Sequence, residues 1–198
     1  MMSKTGIRAA AAYALPFLAA SVLSGVTLAQ TDKPGAARTA LLFDKLCYEM
    51  VPNFAGLQER AKKMKWEPIT GRRLQGFKPA AEPKVLQAWT FKDLGTGFQI
   101  AISQSDMDAQ AKKDFPDFAA AQVYSCSIIL PAKWPRADMS AAMMKLMGRK
   151  PDESADQGRM VFDTWNGKDA TRRVIINHMG AKSGGPGGLI SITFMLKK

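Results

Sequence analysis

The chain has 198 residues, of which 46% are hydrophobic and 23% charged, a balance that excludes intrinsic disorder as the default. Twenty-eight lysines and arginines face 17 acids, a formal net charge of +11, and a field of that sign favours anionic partners. With two cysteines and one histidine, a zinc site has too few ligands once the cysteines are oxidised.

Residues 1–29 read as a secretory signal peptide that is removed. Lys4 and Arg8 form a positive start, residues 9–28 are mostly apolar, and Thr27-Leu28-Ala29 places small residues before Gln30. The competing reading is a membrane anchor, because about 20 apolar residues can span a bilayer. The run is Ala-rich and contains Pro16, and no positive cluster follows it at once, which favours cleavage. Its removal leaves 169 residues with 26 basic and 17 acidic side chains, a net +9, and no further apolar stretch long enough to cross a membrane. That length suits one domain. The expected localisation is periplasmic or extracellular.

Residues 30–36 read as a polar tether and residues 37–198 as the domain. A first helix is expected over 37–50, where Leu42, Leu46 and Met50 repeat at helical spacing beside Phe43 and Cys47. Asn53 can cap a second helix over 54–65, with Phe54, Leu57, Ala61 and Met64 on one face. Residues 67–83 hold four prolines and glycines within a dozen positions and read as irregular. Strands are expected over 85–91 and 98–103, joined by turn residues 93–97 into a hairpin. Residues 105–118 are polar and partly helical. Residues 122–130 read as a strand with Tyr124, Cys126, Ile128 and Leu130 on one face, stopped by Pro131.

A third helix is expected from Pro135 and Asp138 to about Met147, with Gly148 as its stop. Residues 151–157 read as an acidic loop. Strands follow at 159–165 and 169–179 around an Asn166-Gly167 turn, and at 189–196 after a glycine-rich loop over 180–188. The order ααβββαβββ predicts an α+β domain. Its core is a mostly antiparallel sheet of five to six strands, with an N-terminal helix pair and one further helix packed on one face. The two strand blocks hint at a duplication, although no residues match at a fixed offset.

Cys47 and Cys126 both point into apolar surroundings, 79 positions apart in a chain read as exported, and are expected to form a disulfide that ties the first helix to the sheet. No Cys-x-x-Cys supports a redox role. His178 lies at the end of a strand; as a base it would need a nucleophile and an orienting acid, and Ser183, Asp163 and Asp169 are near in sequence without a spacing that selects them. The 180–188 loop lacks the order of a phosphate-binding loop, because Lys182-Ser183 comes early and a strand follows. Met139, Met143 and Met147 at one-turn spacing read as core before copper ligands. Asp106, Asp108, Asp114 and Asp117 lack the EF-hand pattern. Asp152, Glu153 and Asp156 read as a solvated loop.

The strongest functional signal is a basic stretch with interleaved aromatics: Arg60, Lys62, Lys63, Lys65, Arg72, Arg73 and Lys78, with Trp66 and Phe77. The same residues fit a solvated helix face and loop with the aromatics buried. The sequence points to a non-enzymatic module that binds an anionic or protein partner in the envelope, with no cofactor, no metal and no specific nucleic-acid motif. The alternative is a small envelope hydrolase or modifying enzyme that uses acidic residues, with His178 as a candidate partner.

Overall fold

The computed structural model describes residues 35–197. The expected signal segment and most of the tether lie outside the described residues. The helices are α1 (Ala36–Phe43), α2 (Phe54–Lys63), α3 (Gly71–Gln75), α4 (Ala109–Asp114) and α5 (Arg136–Met147). A π-helical segment, Asp44–Tyr48, extends α1, and a 3-10 turn, Pro116–Phe118, follows α4. The strands are β1 (Glu67–Pro68), β2 (Pro83–Asp93), β3 (Thr96–Asp106), β4 (Gln122–Pro135), β5 (Glu153–Gln157), β6 (Met160–Lys168), β7 (Arg172–Ala181) and β8 (Pro186–Leu196).

All eight strands form one antiparallel sheet in the order β1-β2-β3-β4-β8-β7-β6-β5. The α+β class is as expected, and the expected count of five to six strands is corrected to eight. Two elements account for the difference. β1 is two residues long and lies in the stretch read as irregular. β5 has the sequence ESADQ, and it lies in the stretch read as an acidic loop. As the outer strand of the sheet, β5 buries neither face, so it carries no alternation for a sequence pattern to show. The two short helices α3 and α4 also add to the expected three.

The sheet is two four-stranded meanders, β1–β4 and β5–β8, joined edge to edge where β4 pairs with β8. α2 leads into the first meander and α5 into the second. The duplication hinted at by the strand blocks is thus present as topology.

Residues paired across antiparallel strands share a face, so the registers show what each face carries. On one face the row Ile102, Cys126, Ile192, Ile176, Trp165 crosses five strands, all of it buried. α1, the π-helical segment, α2 and α5 cover this face through Phe43, Leu46, Phe54, Leu57, Met139 and Met143. The methionines are core, as the sequence suggested. The disulfide Cys47–Cys126 is formed, with its Cα atoms 5.3 Å apart, and fixes the π-helical segment to β4 at the sheet's centre.

Helices were expected on one face, and the structure places them on both. α3 leans on the opposite face through Leu74 beside Ile69, Ala88 and Ala101. α4 and the 3-10 turn cover it through Phe118 against Met107, Ala121 and Met195. Between them the face is polar, with the row Ser127, Ser191, Asn177, Thr164 partly open to solvent. An antiparallel sheet tolerates one wetted face.

Several boundaries shift for local reasons. The β2–β3 hairpin closes through Leu94 (φ 45°) and Gly95 (φ 77°), the positive-φ pair that a tight two-residue turn requires. The β6–β7 hairpin forms, but Asn166 and Gly167 stay in β6 and pair with Ile175 and Val174. The turn sits three residues later, where the Asp169 carboxylate accepts the N–H groups of Thr171 and Arg172 at 2.9 Å. A local carboxylate cap outcompetes the Asn-Gly signal. Pro131 does not end β4, which shifts register there and runs on to Pro135. Asp138 lies inside the first turn of α5, which starts at Arg136, and Gly148 ends that helix at φ 66°.

Candidate functional site

The basic stretch is carried by three successive elements at the β1 edge of the sheet. Arg60, Lys62 and Lys63 lie in the last turn of α2, where cations also complement the helix dipole. Lys65 follows at φ 52°. Arg72 and Arg73 lie on α3. Because α2 packs on one face and α3 on the other, the cations wrap the sheet edge around β1 instead of forming a single helix face. All six are exposed and have no ion-pair partner among the described residues. Lys78 is set apart, because it pairs with Glu82. Trp66 is half-buried and turned to the core. Its ring stacks on Phe91 at 4.5 Å, and Phe91 on Phe98 at 5.4 Å, at the margin of the core. Phe77 packs on the Ile69 cluster.

Elsewhere some basic side chains are ion-paired and others, such as Lys92, Lys112, Lys113, Lys145 and Lys150, are exposed without an ion pair among the described residues. Arg38 pairs with Asp93, Lys84 with Asp106, Lys168 with Asp117, Arg172 with Asp169 and Lys182 with Asp156. What sets the β1 edge apart is that six exposed, unpaired cations lie within residues 60–73 of the chain.

A second cluster was not assembled by sequence reasoning. The isoleucine row Ile100, Ile128, Ile190 continues into His178, Asp163 and Ser154 on β7, β6 and β5. Asp163 is 1% exposed. Its Oδ1 accepts from Arg136 at 2.7 Å and from Ser154 at 2.7 Å, and its Oδ2 accepts from Ser140 at 2.8 Å. Arg136 and Ser140 come from the first turn of α5, and the Arg136 stem lies directly over Gly180, where a Cβ would come within 2.7 Å of it. Burial alone would raise the Asp163 carboxyl, but the Ser154 and Ser140 hydrogen bonds and the Arg136 charge outweigh it and hold the group below the usual carboxylate range.

His178 Nδ1 stands 3.4 Å from Asp163 Oδ2, a long contact, and Nε2 is buried without a partner. Burial lowers the imidazole's pKa despite the adjacent Asp163. Asp163 orients His178 as an acid orients a catalytic base, yet the ring is 0% exposed and Ser183, in the turn beyond β7, makes no contact with it. Asp169 is likewise remote, held down to about 2 chiefly by the Thr171 backbone N–H, with Arg172 also contributing. One signal for this cluster was legible: Asp163 alternates with Val161 and Trp165 on a buried face, and an acid there needs partners.

The third feature is a cavity of about 690 Å³ over the β6–β8 end of the helix-covered face. It opens between the π-helical segment and the end of α5. Trp165, Ile176 and Ile192 form its floor, with Val174 and Phe194 half-buried toward the mouth. Tyr48, 47% exposed, stands at the rim with Arg149 and Arg172. Arg149 is anchored to this wall, because its carbonyl accepts Trp165 Nε1 at 3.2 Å and its Nη2 donates to the Asn166 carbonyl at 2.9 Å. Lys168 lines the cavity through its backbone, since its side chain points to the other face, to Asp117 and over Phe118. The cavity draws on residues spread from position 48 to position 194, and no contiguous motif announces it.

Among the described residues no group of three or more His, Cys, Asp or Glu side chains is placed to hold a metal ion, and no helix is long and apolar enough to cross a membrane. Comparison of the chain with protein-family models, with curated proteins and with solved structures returns no match.

Proposed function

We propose that this chain is an exported, non-enzymatic binding module whose basic β1 edge holds an anionic component, or an acidic protein, of the cell envelope. The observation that carries this reading is the set of six exposed cations, Arg60, Lys62, Lys63, Lys65, Arg72 and Arg73, gathered at one edge of the sheet without ion-pair partners among the described residues. Unpaired cations around a narrow edge can converge on a phosphate or carboxylate array, and their field draws such partners in. Export is supported by the Cys47–Cys126 bond, because disulfides persist in oxidising compartments.

The experiment is retention on an immobilised polyanion. Arg72→Ala with Arg73→Ala should elute at clearly lower salt than the unaltered protein. The control is Arg159→Ala with Lys182→Ala, which removes the same charge at the opposite, β5 edge. Equal losses from the two double variants would mean that only net charge matters, and the localised site would be abandoned. The hydrolase reading draws on the Asp163–His178 contact, but a base with both nitrogens buried and no nucleophile beside it has no route to a substrate.

A further inference from the structure

We propose that the 690 Å³ cavity is a second binding site, separate from the basic edge, and that it takes a small amphipathic anion: an apolar chain or ring system with one carboxylate or similar head group. Its volume lies inside the roughly 300–1,000 Å³ range of small-molecule sites. The walls divide by chemistry. The floor is Trp165, Ile176 and Ile192, and Val174 and Phe194 are half-buried above it. The Val174 and Phe194 wall stays partly exposed where α5 ends at Met147 and the π-helical segment stops at Tyr48. An apolar ligand body would cover it and remove it from water.

The rim selects the sign of the head group. Arg149 and Arg172 stand at the mouth, and the acid among the lining residues is Asp169. Asp169 already accepts the N–H groups of Thr171 and Arg172 and the Thr171 hydroxyl, all at 2.9 Å, so its charge is engaged within its own turn. The Arg149 pair with Asp152 and the Arg172 pair with Asp169 are exposed, and such pairs are weak. Each guanidinium retains N–H donors for an incoming carboxylate, which it meets in a charge-assisted and commonly bidentate bond. A cationic head would face two arginines instead. Tyr48 adds a hydroxyl and an aromatic edge at the same opening, a pairing suited to the boundary between an apolar body and a polar head.

The test is calorimetric titration of the protein with decanoate, with decanol and decyltrimethylammonium as matched neutral and cationic probes. Saturable binding of one decanoate per chain is expected, with little or none of the other two. Val174→Trp fills the cavity from its half-buried wall and should abolish binding. Arg149→Gln with Arg172→Gln should weaken decanoate binding about tenfold or more, the loss of one charged hydrogen bond. Both arginines are exposed, so this variant carries the test if Val174→Trp fails to fold. Absence of saturable decanoate binding would overturn the proposal. So would equal binding by decyltrimethylammonium or decanol, or undiminished binding by a folded Val174→Trp protein. Polyanion retention unchanged in the Arg149/Arg172 variant would show that this site and the basic edge act separately, while a loss as large as that of the Arg72/Arg73 variant would overturn their separation.

Discussion

At the scale of single residues, the buried pair Asp163 and His178 makes stability depend on pH. Asp163 is held below the usual carboxylate range, so its contribution is present above about pH 4, the unfolded value, and is lost as pH falls further. His178 works in a different window. Burial disfavours its charged form, so the folded chain binds this proton less readily than the unfolded chain does. Stability from His178 is complete above about pH 6.5 and falls as pH drops below it, because the unfolded state then takes up a proton that the native state refuses. The neighbouring Asp163 opposes this effect, but its oxygens already serve Arg136, Ser140 and Ser154, and Nε2 has no acceptor to hold a second proton. His178 is the single histidine of the chain, so between pH 7 and 5.5 the change is its own. Urea unfolding should show the protein less stable at pH 5.5 than at pH 7, and His178→Leu should flatten the difference. The same slope in His178→Leu would show that another group titrates. The sequence placed His178 and Asp163 near each other and weighed them as catalytic partners. It could not show that both face inward beneath α5, because their pairing depends on the β6–β7 register.

At the scale of elements, the periodic segments were legible and the exposed ones were not. α2, β4 and β8 bury chiefly one face against a layer of the core, so their apolar residues recur at 3.6 or 2 positions. β5 shows five largely exposed residues and β1 spans two, so neither leaves a pattern. α3 begins at Gly71 with φ 59° in a stretch rich in glycine and proline, where local signals argue against any helix. It forms because Leu74 finds Ile69, Ala88 and Ala101 beneath it, a tertiary contact that overrides propensity. The disulfide was legible because the two cysteines share the apolar sides of their elements. It joins the α1 extension to β4 across a separation of 79 residues, and in the chain-entropy model a loop of that length gives about 4–5 kcal/mol at most. Replacing Cys47 and Cys126 together by alanine should lower unfolding stability by about 2–5 kcal/mol, and the unaltered protein with reductant should move toward the same urea midpoint. A change under about 1 kcal/mol would show that Phe43 and Leu46, fully buried against the sheet, hold this segment without the bond.

At the scale of the whole molecule, two meanders joined through β4 and β8 give a sheet wide enough to hold the two proposed sites apart. The basic edge is at β1, and at the other end of the sheet the buried Asp163 cluster spans β5–β7 while the cavity lies over β6–β8 on the same helix-covered face. The basic edge was legible because its cations are contiguous in sequence. The cavity was not, because it exists only where helices on a common face stop short of each other. The setting in which either site works depends on where the chain is delivered. Thr27-Leu28-Ala29 before Gln30 marks an expected cleavage point outside the described residues, and the Cys47–Cys126 bond needs an oxidising compartment. The two are independent, one a short targeting pattern and the other a packed covalent bond, and a single measurement reads both. Expressed from Met1 in a Gram-negative host and recovered from the periplasm, the protein should have an intact mass that begins at Gln30. That mass should rise by two hydrogens on reduction, because Cys47 and Cys126 are the chain's two cysteines. Full-length protein with free thiols would overturn export and the disulfide together. Residues 9–28 would then act as an anchor, and Cys47 and Cys126 would be free thiols at the interface between the π-helical segment and β4. A cleaved chain with free thiols would keep export and remove the covalent tie, leaving the core contacts of Phe43, Leu46 and Leu57 to hold the helical layer on the sheet.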